Sequence, residues 1–348
     1  MESTDAPASA AARGSAPAAS AAGGPPATWL WRAEVAAVVG RCRVARMAVA
    51  STTGPLVSAQ LFSTGGGRIF MVTPRESAKA RVIRRDPRVA VILRAGRRSA
   101  VIGARARILD PLSPTGAAAI AASGLALGAA LTRYALRNVD TLCGYVADLV
   151  PPRPGAIPFD RVILALEIER ALLWSGSAIT DVAGDWDVGL TGGEQSVAVP
   201  PAASWALAGT VPHRVASLLR DRQPAVVGWI GAAGPLLLPA AWDPVGRRAV
   251  IPAAVAEQVG APSTSQAAVA LDRSPAGRPS NFAGLVLRGP ARLEPGADGL
   301  RCRQAPRRAT WWQGFSVRTD ELRTARHAGN PARRRTARVR RAGRPPVA

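Results

Sequence analysis

Thr73-Pro74-Arg75-Glu76-Ser77-Ala78-Lys79-Ala80-Arg81-Val82-Ile83-Arg84-Arg85-Asp86-Pro87 is a charged segment with Pro near its start and Asp-Pro at its end. That punctuation predicts a short helix entered from a strand. Upstream lie three short β patterns at 44–50, 56–62 and 68–73, separated by the turn signals Thr53-Gly54-Pro55 and Gly65-Gly66-Gly67. Downstream, 88–94 and 100–109 continue the series. In the second of these Val101, Gly103, Arg105 and Arg107 alternate with Ala100, Ile102, Ala104 and Ala106, as in a half-buried strand. A helix is expected at 31–40, ahead of the first strand, and a sixth strand at 161–174. Between the fifth and sixth strands, 117–131 is uncharged and rich in Ala and Gly. It is shorter than a membrane span requires and predicts part of a soluble helix running to about residue 150. Six short strands with two helical insertions predict a mainly β fold, a small barrel closed so that no edge stays exposed.

The pattern then recurs. Gly54-Pro55-Leu56 reappears as Gly234-Pro235-Leu236, and Arg68-Ile69-Phe70 as Arg248-Ala249-Val250. Val91-Ile92-Leu93 matches Val269-Ala270-Leu271, and Ala106-Arg107-Ile108 matches Ala291-Arg292-Leu293. Trp174-Ser175-Gly176 closes the first unit and Trp312-Gln313-Gly314 the second. The order predicts an internal duplication: an arm at 1–28, one barrel at 29–177, a linker at 178–204, a second barrel at 205–322 and a tail at 323–348. The second copy opens with an expected helix at 205–220 and lacks the Ala-rich helix, having only a short link from Glu294 to Ala309.

Composition narrows the function classes. Of 348 residues 48% are hydrophobic, enough for two cores. The formal net charge is +22 and, of 45 basic residues, Lys79 is the only lysine. Three Cys (Cys42, Cys143, Cys302) form no CxxC pair and neither His213 nor His327 neighbours one. No metal site and no disulfide framework is expected, and a cytoplasmic setting fits. The arm is Ala/Ser/Pro/Gly-rich without a signal-peptide pattern, and the tail carries nine Arg with no apolar period, so both are expected to be disordered. No recognition-helix motif accompanies the charge, so no specific nucleic-acid partner is expected, only salt-dependent attachment to polyanions.

A helix start after a strand favours an anion through free N–H groups and the helix dipole. Thr73 and Ser77 add hydroxyls, and Lys79 and Arg84 add charge. Thr-x3-Ser-x-Lys followed by Arg84-Arg85-Asp86-Pro87-Arg88-Val89 resembles the flavin-binding split-barrel family of pyridoxamine 5′-phosphate oxidase and its deazaflavin-dependent relatives. The resemblance implies two tandem six-stranded split β-barrels forming a pseudo-dimer. It also implies that Thr73, Ser77 and Lys79 hold a cofactor phosphate and that Ser58 and Gln60 line the cofactor from the second strand. Val82 stands where many relatives have Asn. A second segment, Trp311-Trp312-Gln313-Gly314 to Arg318, is similar to the end of the oxidases. It implies that Trp312 touches the cofactor and that Arg318 helps hold substrate. The chain continues Arg318-Thr319-Asp320 where those oxidases continue Arg-Leu-His, which leaves the substrate open.

The phosphate pattern is confined to the first copy. Its counterpart from Val250 to Val259 has no basic residue, whereas Trp-x-Gly-x3-Arg is complete only in the second copy, where Thr180 in the first takes the place of Arg. Such complementary loss is expected of a monomeric pseudo-dimer with one composite cleft. The resemblance thus implies an oxidoreductase using FMN, or alternatively the deazaflavin coenzyme F420, on an unknown small molecule. The other reading is a non-catalytic flavin, deazaflavin or haem carrier. Too few His and paired carboxylates are present for hydrolase chemistry.

Overall fold

The computed structural model describes residues 26–148, 160–176, 178–186, 205, 207, 211–259, 264–273, 279–314 and 316–322. The expected disorder at 1–25 and 323–348 lies outside them. Helices α1 (Pro26–Trp29) and α2 (Ala33–Arg41) precede β1 (Ala45–Ser51), β2 (Gly54–Gln60), β3 (Phe62–Gly65) and β4 (Arg68–Pro74). Then come α3 (Ala78–Arg85), β5 (Arg88–Ala95), β6 (Arg98–Leu109), α4 (Pro114–Arg137), α5 (Val139–Asp148), β7 (Arg161–Ser175) and β8 (Ala178–Ala183). These strands form one sheet in the order β2-β1-β5-β6-β7-β4-β3, with β8 beside β7. Only Leu61 separates β2 from β3. The expected second strand is therefore one chain segment bent between two pairings, and its bend curls the sheet back on itself. At Gly66-Gly67 both φ angles are positive (56° and 74°), as a two-residue hairpin between Gly65 and Arg68 requires. Inside, Met47, Phe62, Ile69, Met71, Ile102 and Leu164 are fully buried, and Trp29 joins the same core from α1.

The second unit contains α6 (His213–Ala216), a 3-10 turn (Ser217–Leu219), β9 (Gln223–Gly231), β10 (Gly234–Asp243), β11 (Arg248–Ile251) and α7 (Ala253–Val259). It continues with β12 (Thr264–Arg273), a 3-10 turn (Pro279–Asn281), β13 (Ala283–Gly296), β14 (Gly299–Gln304), β15 (Arg308–Gln313) and β16 (Ser316–Glu321). The sheet runs β12-β9-β10-β11-β14-β13, and a β12–β13 pairing closes six strands into a barrel.

Four expectations are corrected. The long helix is two, α4 and α5, and α4 itself is interrupted at Gly124 (φ 46°, ψ −134°). The Asn138 side chain between them donates to the carbonyls of Phe62 and Tyr134, a tertiary contact that ends α4. By length and composition alone α4 is long and apolar enough to cross a membrane, and Leu125 is 94% exposed on it. The expected linker opens with strand β8, paired to β7. Of the helix expected at 205–220, the described residues show α6 and its 3-10 turn, while 206 and 208–210 lie outside them. The link from Glu294 to Ala309 holds a strand, β14. Together β14 and β15 take the pairings that β7 makes alone: β7 pairs with β4, β6 and β8, whereas β14 pairs with β11 and β13 and β15 with β13 and β16, and Pro306, which has no N–H for the ladder, lies between them.

The two barrels pack reciprocally. β10 lies on β5, and β2 lies on β12. A Cβ on Gly54 would meet the Gln266 Cβ at 3.3 Å, and one on Gly234 would meet the Arg88 Cβ at 3.0 Å. Ala48, Ala90, Ile92, Val101, Leu172 and Trp174 of the first barrel belong to the apolar cluster of the second, so one core crosses the junction. The buried pair Arg46–Asp272 (2.7 Å) also bridges it.

Candidate functional site

The junction of β4 and α3 gathers the sequence motif. Thr73, at the end of β4, is fully buried, and its hydroxyl lies 3.2 Å from that of Ser77. Ser77 has the extended backbone of an N-cap and accepts a hydrogen bond from the Ala80 N–H at 3.2 Å. Because that bond uses an oxygen lone pair, the Ser77 proton is free to be donated to Thr73 or to a ligand. Lys79 follows in the first turn, where the helix N–H groups and dipole already favour an anion.

The charges there are unevenly satisfied. Arg75 is half-buried and holds Asp110 at 2.6 Å and Asp160 at 2.7 Å. Those carboxylates are taken. Lys79 is half-buried and makes no hydrogen bond or ion pair among the described residues. Burial, and then the nearby Arg161 guanidinium, push its ammonium down to about 8. Arg161 opens β7, directly across from Pro74. The same guanidinium opposes the effect of burial on Tyr134, a phenol on α4 pushed up to about 12. Arg161 thus lies within electrostatic reach of both Lys79 and Tyr134. The sequence reading missed Arg161 and Tyr134. The signal for Arg161 was the pairing of the sixth strand with the end of the third; Tyr134 carried no signal.

Arg84 is not brought to this end. It lies in the last turn of α3, exposed, seven residues beyond Ser77 and so about 10 Å along the axis. Ser58 and Gln60 are half-buried on β2, where the Gln60 amide donates to the Ser58 hydroxyl at 3.3 Å. Among the described residues no hydrogen bond joins them to Thr73, Ser77 or Lys79.

The second segment sits on the β15–β16 hairpin. Trp311 is buried and donates its indole N–H to Asp320 at 2.8 Å. Trp312, half-buried, lies against Gly284: a Cβ there would come within 1.9 Å of the indole ring. Gly284 is therefore what lets Trp312 lie down on β13. Arg318 is exposed, with its guanidinium carbon 5.9 Å from the centre of the Trp311 ring. The turn Pro279–Asn281 links this segment to the first barrel, since α5 packs on it and Gly314 abuts Ser280.

No protein-family profile and no curated protein matches the sequence. Solved structures do. The matches fall on pyridoxamine 5′-phosphate oxidase-like, FAD-binding and F420 reductase structures. A conserved hypothetical protein of Mycobacterium tuberculosis is similar at 24% identity, over 41% of this chain and 84% of its own, with a TM-score of 0.30. A pyridoxamine 5′-phosphate oxidase-related, FMN-binding protein of Nostoc punctiforme is similar at 15% identity, over 42% and 83%, with a TM-score of 0.30. An F420 reductase is similar at 20% identity, over 39% and 93%, with a TM-score of 0.27. At these scores they are likenesses only.

Proposed function

We propose that this chain binds a phosphate-bearing cofactor of the flavin type, FMN or F420, and serves as an oxidoreductase for a small molecule. The observation that carries the proposal is Lys79, a half-buried ammonium at a capped helix start with no counter-ion among the described residues. Leaving a cation so placed is costly unless an anion arrives. The junction fits a phosphate: Lys79 supplies charge, the Ser77 hydroxyl and first-turn N–H groups donate, and Thr73 orients Ser77. Tyr134 stays a neutral phenol at pH 7 and can donate a hydrogen bond near the same group. Ser58 and Gln60 on β2, and Trp312 and Arg318 on the hairpin, are proposed as further contacts to the cofactor and substrate. Arg84, at the far end of α3, is not carried into the proposal. When bound, such a cofactor supplies hydride chemistry, while the protein holds and orients it.

The reciprocal packing of the barrels supports a monomeric pseudo-dimer with tandem copies and one flavin site. In the second copy α7 (AAVAEQV) has no cation to take the place of Lys79. The free thiols of Cys42, Cys143 and Cys302 are compatible with a cytoplasmic setting. The test is a spectroscopic and calorimetric titration with FMN and with F420, followed by an acceptor assay with the reduced cofactor. One cofactor per chain is expected, lost on Lys79→Ala. A stoichiometry near two, or unchanged affinity in a folded Lys79→Ala protein, refutes the assignment. Binding without turnover of the reduced cofactor with any acceptor would identify a carrier.

A further inference from the structure

A cavity of about 370 Å³ lies between the barrels, on the side related to the Lys79 junction by their reciprocal packing. Trp174, the first-copy counterpart of Trp312, lines it, as do Val250 and Pro252 from the strand-to-helix junction of the second copy. That junction offers no cation. The cations come instead from the β5–β6 hairpin, as Arg94 and Arg97, and from Arg222 ahead of β9. Among the described residues none of the three has an ion pair. Arg94 is half-buried and donates only to the carbonyls of Ala240 (3.3 Å) and Gly96 (3.5 Å).

Two further donors line the cavity and are open to a ligand. Ser99 is 2% exposed and Trp174 is 4% exposed. Neither the Ser99 hydroxyl nor the Trp174 indole N–H has a hydrogen-bond partner among the described residues. Two carboxylates also line the space. Asp243 is neutralised by Arg248 at 2.9 Å, and exposed Asp298 has no ion pair among the described residues. Three unpaired arginines against one free carboxylate leave the cavity cationic, and Trp174 with Trp242 gives it an apolar wall.

We propose that this cavity is a second binding site, separate from the Lys79 junction, for a small organic anion: a carboxylate or phosphate monoester whose apolar body is a single ring or short chain, smaller than a flavin. The anion meets the arginines and the Ser99 hydroxyl, and the body packs on Trp174. A volume of this size suits a ligand of that kind.

The test is calorimetry with phenyl phosphate, benzoate and inorganic phosphate at 0.15 M salt, where contacts among exposed charges are screened. It is run in the Lys79→Ala protein, which removes the first site, so that its result does not depend on the flavin assignment. Phenyl phosphate or benzoate is expected to bind near one per chain and more tightly than inorganic phosphate. Which of the two binds tighter identifies the anionic group. Arg97→Ala/Arg222→Ala, two exposed changes, should weaken binding about tenfold or more. Arg214→Ala/Arg307→Ala, which removes two exposed arginines outside the cavity, should leave it unchanged. A shift of the Trp174 indole N–H resonance on adding phenyl phosphate is the second expected readout. No binding in the Lys79→Ala protein, equal weakening by both arginine pairs, or no preference over inorganic phosphate overturns the proposal.

Discussion

Replacing Lys79 with Met should stabilise the ligand-free protein while weakening its response to phosphate. An ordinary surface lysine titrates near 10.5, and this one is pushed down to about 8 by burial and then by Arg161. At about 1.4 kcal/mol per pH unit the shift sets an upper limit of roughly 3 kcal/mol on the cost of keeping the ammonium charged. Water reaches a half-buried group, so about 1 kcal/mol is expected to be relieved by Met, which keeps the aliphatic stem. That is a rise in Tm of roughly 2–4 °C. The sign is fixed by linkage. Between pH 8 and pH 10.5 the unfolded chain binds more protons at this site than the folded one, so native stability rises with pH there. The advantage of Lys79→Met should be full below pH 8 and vanish by about pH 10.5. Differential scanning calorimetry at pH 7 and pH 10, with and without inorganic phosphate or FMN, reads both effects. Wild type should gain more stability from the anion than the variant does, and that excess should shrink above pH 8. A variant less stable than wild type at pH 7, or one that gains as much from the anion as wild type, would refute the picture of an unpaired ammonium awaiting a ligand.

Asp272→Ala should cost about 3–5 kcal/mol by stranding Arg46 in the junction between barrels, and Arg46→Met/Asp272→Leu should recover most of it; urea unfolding measures both. Gly284→Ala should force Trp312 off β13 at about 1–3 kcal/mol, and an unchanged denaturation midpoint would show that the ring does not lie there. Deleting residues 323–348 removes nine Arg and no acidic residue, taking the formal charge from +22 to +13 (22 − 9). DNA retention should then weaken and lose much of its salt dependence, with cofactor affinity unchanged, as read by mobility shift and cofactor titration.

What the sequence made legible was local. The strands of the first barrel were readable because their apolar alternation is bounded by Gly54, Gly66-Gly67 and Pro87, and Thr73, Ser77 and Lys79 because a strand end and one helical turn bring them together. What it hid depended on distant partners. The end of α4 is set by the Asn138 amide reaching the carbonyl of Phe62, and no Ala-rich composition announces that. The split between β14 and β15 turns on Pro306, whose meaning appears only once β13 is seen paired to both. Charge shows the limit most plainly. Arg75 and Lys79 stand four residues apart on one basic segment, equivalent by composition. The fold gives Arg75 two carboxylates, one from the end of β6 and one from the residue before β7, and gives Lys79 none among the described residues. The cations of the cavity between the barrels are likewise ordinary arginines among many, drawn from separate segments and distinguished only by lacking an ion-pair partner among the described residues where space is left beside them. In a chain so rich in arginine, the number of cations says little about function; the places where the fold leaves one half-buried and unpaired say more.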